Sequence, residues 1–189
     1  MKVPLKYQTG EFDCATVTYL NAISVLFDRE EIPGEIIKGI FNYTMDLYDK
    51  KDQGGGGTSR VAHLQLTNFL NDYSKNHKFG VNIEMYYGSK VNGALLDLVL
   101  RRGIVVARVF LGVEHYVLIT QIDREFVYLF DPYYVDDINY DSDASVWMVN
   151  DKNKNYNRKV KRERLLASTL EDLSLGPIKA RECAVLFRK

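Results

Sequence analysis

Four side chains have the types that nucleophilic catalysis needs: a thiol at Cys14, an imidazole at His115, a carboxylate at Asp131 and a carboxamide at Gln8. Cys14 follows Asp13 at the head of a long apolar run, where Asp13 takes a helix N-cap position and Cys14 the first helical one. Free N–H groups and the helix dipole favour a negative charge there, and the thiolate is the nucleophilic form of cysteine. The competing reading is a small buried hydrophobe, the usual fate of a cysteine. A carboxylate beside the sulfur works against the thiolate unless Asp13 turns to cap the helix.

A nucleophile needs a base, and the base needs an orienting acid. If Asp123-Arg124-Glu125 forms a three-residue turn between two strands, Val117 faces Asp131 and His115 lies diagonally beside it on the same face. A two-residue turn would slip the pairing by one and send the two side chains to opposite faces. Taken singly, His115 is also an ordinary strand residue, and Asp131 a turn former before Pro132. Gln8, six residues before the thiol, can donate from its amide to a developing oxyanion alongside the Cys14 N–H.

The elements that must position these groups follow from periodicity. Apolar residues from Cys14 to Phe27 fall around nearly the whole circumference of a helix, so this helix is expected to be central and covered on all sides. Pro33 and Glu35 open a second helical stretch running through Asp49, and Thr58 or Ser59 caps a third, with Val61, Leu64, Leu66, Phe69, Leu70 and Tyr73 on its apolar face. A short fourth ends at Gly103. The pattern then changes to β-branched and aromatic runs, "IVVARVFL", "EHYVLITQI" and "EFVYLF", followed by "SVWMVN" and "KARECAVLFR". Helices first and strands second is the signature of an α+β domain.

Composition limits the alternatives. The 189 residues are 46% hydrophobic and 26% charged, which suits one domain over 1–189. Net charge is zero, so no overall field draws the chain to nucleic acid or an anionic membrane. The two cysteines do not form a disulfide framework, and Cys183 in "ECAVLF" reads as a core thiol. With no apolar leader and no run long enough to span a bilayer, a cytoplasmic protein without membrane insertion is expected. The Asn42-Tyr43-Thr44 sequon would matter only on a secretory route.

Four residues and their phrases carry a resemblance. "QTGEFDCA" from Gln8, "HYVLI" from His115 and "FDP" around Asp131 resemble the papain-like cysteine peptidases, within them the bacteriocin-processing branch that cleaves double-glycine leaders, in a stand-alone form. The resemblance implies a papain-like fold, with an N-terminal helical part, a C-terminal antiparallel β-sheet and the active-site cleft between them. It makes Cys14 the nucleophile, His115 the base, Asp131 its orienter and Gln8 the oxyanion donor, acting on a peptide or protein substrate without a cofactor or metal. Many relatives have glycine after the cysteine, where this chain has Ala15.

Other features are weaker. "QGGGGTS" fails the phosphate-loop pattern for want of a lysine and reads as a flexible loop, or by the resemblance as a cleft-lining one; Gly54 to Gly57 could also mimic a substrate in a neighbouring copy's cleft. His63 and His77 lack partners at metal-ligand spacing, and His63 is expected on a helix surface. Tyr133, Tyr134 and Trp147 could line a peptide groove or simply pack. The acidic stretch Asp131, Asp136, Asp137, Asp141 and Asp143 precedes a basic one, "DKNKNYNRKVKRERLL", readable as two solvated arms or as a docking surface for a charged peptide. Beside hydrolysis, the same four residues would serve an acyltransferase, and a catalytically silent peptide-binding module is the reading from another class.

Overall fold

A computed structural model describes residues 1–47, 56–135, 143–151 and 154–189. Among them are five α-helices, α1 (Cys14–Leu26), α2 (Gly34–Tyr43), α3 (Arg60–Asn76), α4 (Gly93–Val99) and α5 (Arg162–Leu166). Seven strands, β1 (Val81–Tyr87), β2 (Gly103–Leu111), β3 (Val113–Ile122), β4 (Phe126–Phe130), β5 (Val146–Met148), β6 (Arg158–Lys161) and β7 (Glu182–Arg188), form one sheet in the order β1-β7-β2-β3-β4-β6-β5. Every neighbouring pair is antiparallel. The fold is α+β.

Two apolar cores lie on the two faces of the sheet, and the alternation of strand side chains divides residues between them. On β7, Ala184 and Leu186 join the core beneath α1, α2 and α3, while Cys183, Val185 and Phe187 join the core under α4 and α5. Helix α1 is buried on almost every side, as its all-round apolar pattern requires, with Ala15, Tyr19, Ala22 and Ile23 inaccessible. It packs against β3, β2 and β7.

Several boundaries depart from the sequence reading. Helix α2 stops at Tyr43 instead of continuing to Asp49, because Thr44 turns extended and bonds its hydroxyl back to Ile40 O, at 2.8 Å. Ser59, not Thr58, caps α3, accepting from Ala62 N at 3.1 Å. The buried face of α3 is Ala62, His63, Leu66, Thr67 and Leu70, so Val61, at 65% exposure, and Leu64 point outward.

Strand β1, "VNIEMYY", was not among the expected strands; its Val81 and Ile83 turn inward while Asn82 and Glu84 alternate with them, and it pairs antiparallel along the edge of β7. The basic stretch is no solvated arm where it is described: it builds β6 and α5, with Arg162 paired to Asp97 at 2.7 Å and Arg164 to Asp143 at 2.8 Å. Asp136, Asp137 and Asp141 lie outside the described residues, as do Gly54 and Gly55.

Candidate active site

The hairpin of β3 and β4 decides whether the imidazole and the carboxylate meet. Its turn is tighter than the three residues expected: Ile122 pairs with Val127, and Asp123 N donates to Phe126 O at 2.9 Å, leaving Arg124 and Glu125 at the tip. Such a turn should part His115 from Asp131. It does not, because the register shifts between Ile119 and Gln121, where Thr120 is an extra residue on β3. Beyond this bulge Leu118 pairs with Phe130, so one step further Val117 stands opposite Asp131. The expected juxtaposition is thus reached by a different route.

At the open end of this hairpin, His115 Nε2–H donates to Asp131 Oδ1 at 2.7 Å. Both groups are buried, His115 at 5% exposure and Asp131 at 0%. The other ring nitrogen, Nδ1, is left for the side-chain hydrogen bond that His115 makes with Cys14. Burial works to lower the basicity of this imidazole, but the hydrogen bonds with Asp131 and Cys14 outweigh it and lift the pKa to about 9. His115 is therefore an imidazolium at neutral pH, placed between a thiol and a carboxylate.

Cys14 occupies the first position of α1 and is 6% exposed. Asp13 sits at the N-cap position but does not cap: its Oδ2 accepts from Thr9 N and its Oδ1 from Gly10 N, each at 3.0 Å. The carboxylate thereby folds back on the preceding loop, and the first N–H groups of α1 are not taken up by it. Thr18 Oγ1 donates to Tyr116 O at 3.0 Å, which ties α1 to β3 one residue from His115.

Gln8 is held against the residues that follow β4, its backbone N–H donating to Pro132 O at 2.8 Å. Its Nε2 donates to Gly10 O at 2.7 Å, and its Oε1 is buried without a hydrogen-bond partner. A carboxamide nitrogen carries two hydrogens, so one remains beyond the bond to Gly10.

Around Asp131 is a support that sequence reasoning missed. Asn157 brackets its backbone, with Asp131 N donating to Asn157 Oδ1 and Asn157 Nδ2 to Asp131 O, both at 2.8 Å. Tyr133 N donates to Asp131 Oδ1 at 2.9 Å. The Arg158 guanidinium, almost wholly buried, approaches Asp131 Oδ2 to 3.7 Å and donates to Tyr133 O at 3.2 Å. Both residues lay inside a run of charges that read as solvent-facing.

The aromatic candidates separate. The Tyr133 ring meets His115 edge-on at 6.3 Å, and exposed Tyr134 meets Tyr7 edge-on at 5.2 Å, both beside the site. Trp147 does not join them: it lies on β5, three strands from β3, packed on Phe126 and Lys159. On the helical side, a Cβ on Gly57 would come 3.7 Å from Phe12 O, so this glycine lies against the segment leading into Cys14. A hollow of about 350 Å³ lined by Arg124, Glu125, Lys161, Arg162 and Glu163 is at the turn end of the hairpin, away from His115.

His63 and Cys183 lie in the core outside the site, and His77 stacks on Tyr73. His63 is fully buried, contrary to the surface position expected; its Nδ1–H donates to Glu182 Oε1 at 3.0 Å and its Nε2 shares a hydrogen bond with Tyr19 O–H at 2.6 Å. Tyr116 O–H and Arg60 Nε complete the Glu182 shell, each at 2.6 Å. Burial alone would raise the Glu182 carboxyl, but the hydrogen bonds from His63 and Tyr116 and the Arg108 charge bring it down to about 2. Cys183 is a core thiol, pushed up to about 12 by burial. Among the described residues no group of three or more His, Cys, Asp or Glu could hold a metal ion, and no helix is long and apolar enough to cross a membrane.

No known protein-family model matches the chain, and a search of curated proteins finds no match.

Proposed function

We propose that this protein is a cysteine-dependent hydrolase of peptide or related amide bonds, with a papain-like fold. The observation that carries the proposal is one imidazole hydrogen-bonded at once to the Cys14 thiol at a helix start and to the buried Asp131 carboxylate. The resemblance of "QTGEFDCA", "HYVLI" and "FDP" to the bacteriocin-processing branch favours peptide substrates, and two free cysteines suit a reducing, cytoplasmic setting.

The reactive form of the site pairs the thiolate of Cys14 with the imidazolium of His115. The sulfur attacks the substrate carbonyl carbon, forming the C–S bond while the carbonyl electron pair moves onto oxygen. The Cys14 N–H and the second hydrogen of Gln8 Nε2 stabilise that oxyanion. As the tetrahedral intermediate collapses, the C–N bond breaks and His115 gives its Nδ1 proton to the leaving amine. The neutral imidazole then takes a proton from water, whose oxygen attacks the thioester, and collapse expels the thiolate and restores the imidazolium. Asp131 holds the ring orientation throughout. A pure binding module would have no use for this set of groups together.

The test is the rate of Cys14 alkylation by iodoacetate across pH, in wild type and in His115→Ala, with Cys183→Ala in both. An anionic reagent reports thiolate and imidazolium jointly. The expected profile is a bell whose plateau depends on His115 and declines near 9, where His115 loses its proton. A single ordinary thiol titration, indifferent to His115, would sink the proposal.

A further inference from the structure

Beneath the acid member of the site lies a buried cation with its own place in the electrostatics. Residues 157 and 158 lead into β6, with Leu129 of β4 paired to Arg158, so β6 runs beside the end of β4 from which Asp131 projects. The Asn157 side-chain amide does for Asp131 what a further backbone rung would do, bonding both its N–H and its C=O. Asn157 N in turn donates to Leu129 O at 3.0 Å, so three bonds attach this one residue to the end of β4.

Arg158 supplies charge where Asn157 supplies geometry. Its side chain is 2% exposed and faces a carboxylate that is 0% exposed, and Nη2 reaches both Asp131 Oδ2 and the carbonyl of Tyr133. Asp131 uses Oδ1 for His115 and Tyr133 N, while Oδ2 is buried and receives no hydrogen bond. Placing a bare carboxylate oxygen in a low-dielectric interior is costly unless a positive charge stands near it.

We infer that Arg158 and Asn157 are positioning residues for the reactive pair: Asn157 fixes the Asp131 backbone, and Arg158 extends the buried charges into an alternating series of thiolate, imidazolium, carboxylate and guanidinium. The inference rests on the reading of Cys14 as nucleophile. Among the described residues, the charged and titratable groups that face His115 are Cys14 from α1 and Asp131 from the end of β4, with the Tyr133 ring beside them. Arg158 stands behind Asp131. On the opposite face of β3, Tyr116 leads to Glu182, Arg108, Arg60 and His63.

Removing the guanidinium has a defined sign. Loss of a nearby positive charge disfavours the thiolate and favours the imidazolium, so both limbs of the iodoacetate profile move to higher pH. The shift expected in Arg158→Met is about one pH unit, the scale for a unit charge several ångströms away at protein-like dielectric. Arg158→Lys keeps the charge and is expected to return both limbs to wild-type positions. Asn157→Ala leaves the limbs in place and lowers the plateau about tenfold, because orientation is lost without loss of charge.

Wild-type limbs in a folded Arg158→Met protein would overturn the role of Arg158, and an unchanged plateau in Asn157→Ala that of Asn157. Should Arg158→Met not fold, the comparison passes to Asp131→Asn and Asp131→Asn/Arg158→Met, the second of which removes both charges of the pair. Asp131→Asn alone leaves a cation near His115 and moves the imidazolium limb down; adding Arg158→Met moves it back up if Arg158 acts by charge, and leaves it unmoved if the residue only packs. A wild-type profile with no dependence on His115 is a separate outcome, which removes the hydrolase reading and this inference with it.

Discussion

His115 and Asp131 are joined by a 2.7 Å hydrogen bond across a hairpin whose tight turn, continued as a regular ladder, would have put them on opposite faces of the sheet. The extra residue at Thr120 absorbs the difference. A β-bulge places two residues of one strand against one of its partner, so it corrects a register without changing the turn.

Deleting Thr120 therefore distinguishes the bulged hairpin from a regular one. With the bulge present, the deletion removes only the surplus residue, Ile119 still meets Leu129, and the His115-dependent alkylation plateau should stay within about twofold, as for a surface change that leaves contacts intact. In an unbulged ladder closed by a three-residue turn, the same deletion would slip the strand and reduce the protein to His115→Ala behaviour.

Gln8 offers a separation of chemical roles. Alkylation creates no oxyanion, whereas acyl transfer does. Gln8→Ala should lower the rate of p-nitrophenolate release from p-nitrophenyl acetate by about 10²-fold, the effect of losing one oxyanion donor, and leave the iodoacetate plateau nearly as it was. Equal losses in both assays would show that Gln8 shapes the site through its loop, by the Pro132 and Gly10 bonds, and not by holding charge.

Acid stability should report on Glu182. Its carboxyl is brought from an ordinary 4.5 to about 2, so the folded state binds this proton more weakly than the unfolded chain does. The contribution is present above 4.5 and is lost as pH falls towards 2. Urea unfolding at pH 7 and pH 3 should show a fall in stability that Glu182→Gln lacks. That variant should also be less stable at pH 7 by about 3 kcal/mol, the usual result of removing one partner from a buried charge pair. A pH dependence identical to wild type would place the acid-labile group elsewhere.

His115 works in the opposite direction. With its pKa raised from 6.5 to about 9, the folded state holds the proton more tightly, so the stability it contributes is complete below 6.5 and disappears as pH rises through 9. Thermal unfolding from pH 6 to 10 should fall more steeply in wild type than in His115→Gln. Parallel curves would contradict the ion-paired site.

Gly56 and Gly57 differ in what they tolerate. A Cβ on Gly56 would come within 2.4 Å of Leu47 O, a backbone atom that cannot move aside cheaply, whereas on Gly57 it would meet Phe12 O at an ordinary 3.7 Å. Gly56→Ala should lower the melting temperature by several degrees, corresponding to about 1–3 kcal/mol of overpacking, and Gly57→Ala should change it little. Calorimetry of the two variants checks this directly.

Residue type and periodicity alone revealed the buried α1, most of the other helices and strands, and the thiol at a helix start. Each depends on neighbours a few residues apart, where the 3.6 and 2.0 periods are visible. Long-range contact decided the rest. Strand β1 needed the edge of β7, His63 became buried because Glu182, 119 residues away, accepts a hydrogen bond from it, and Arg158 became a core residue because Asp131 gives it a partner inside the protein. Charge in a sequence is read as exposure, since an unpaired ion is costly to bury. Only the tertiary structure supplies the opposite charge that reverses that preference, and only the assembled sheet shows that a one-residue bulge was needed to bring His115 to Asp131.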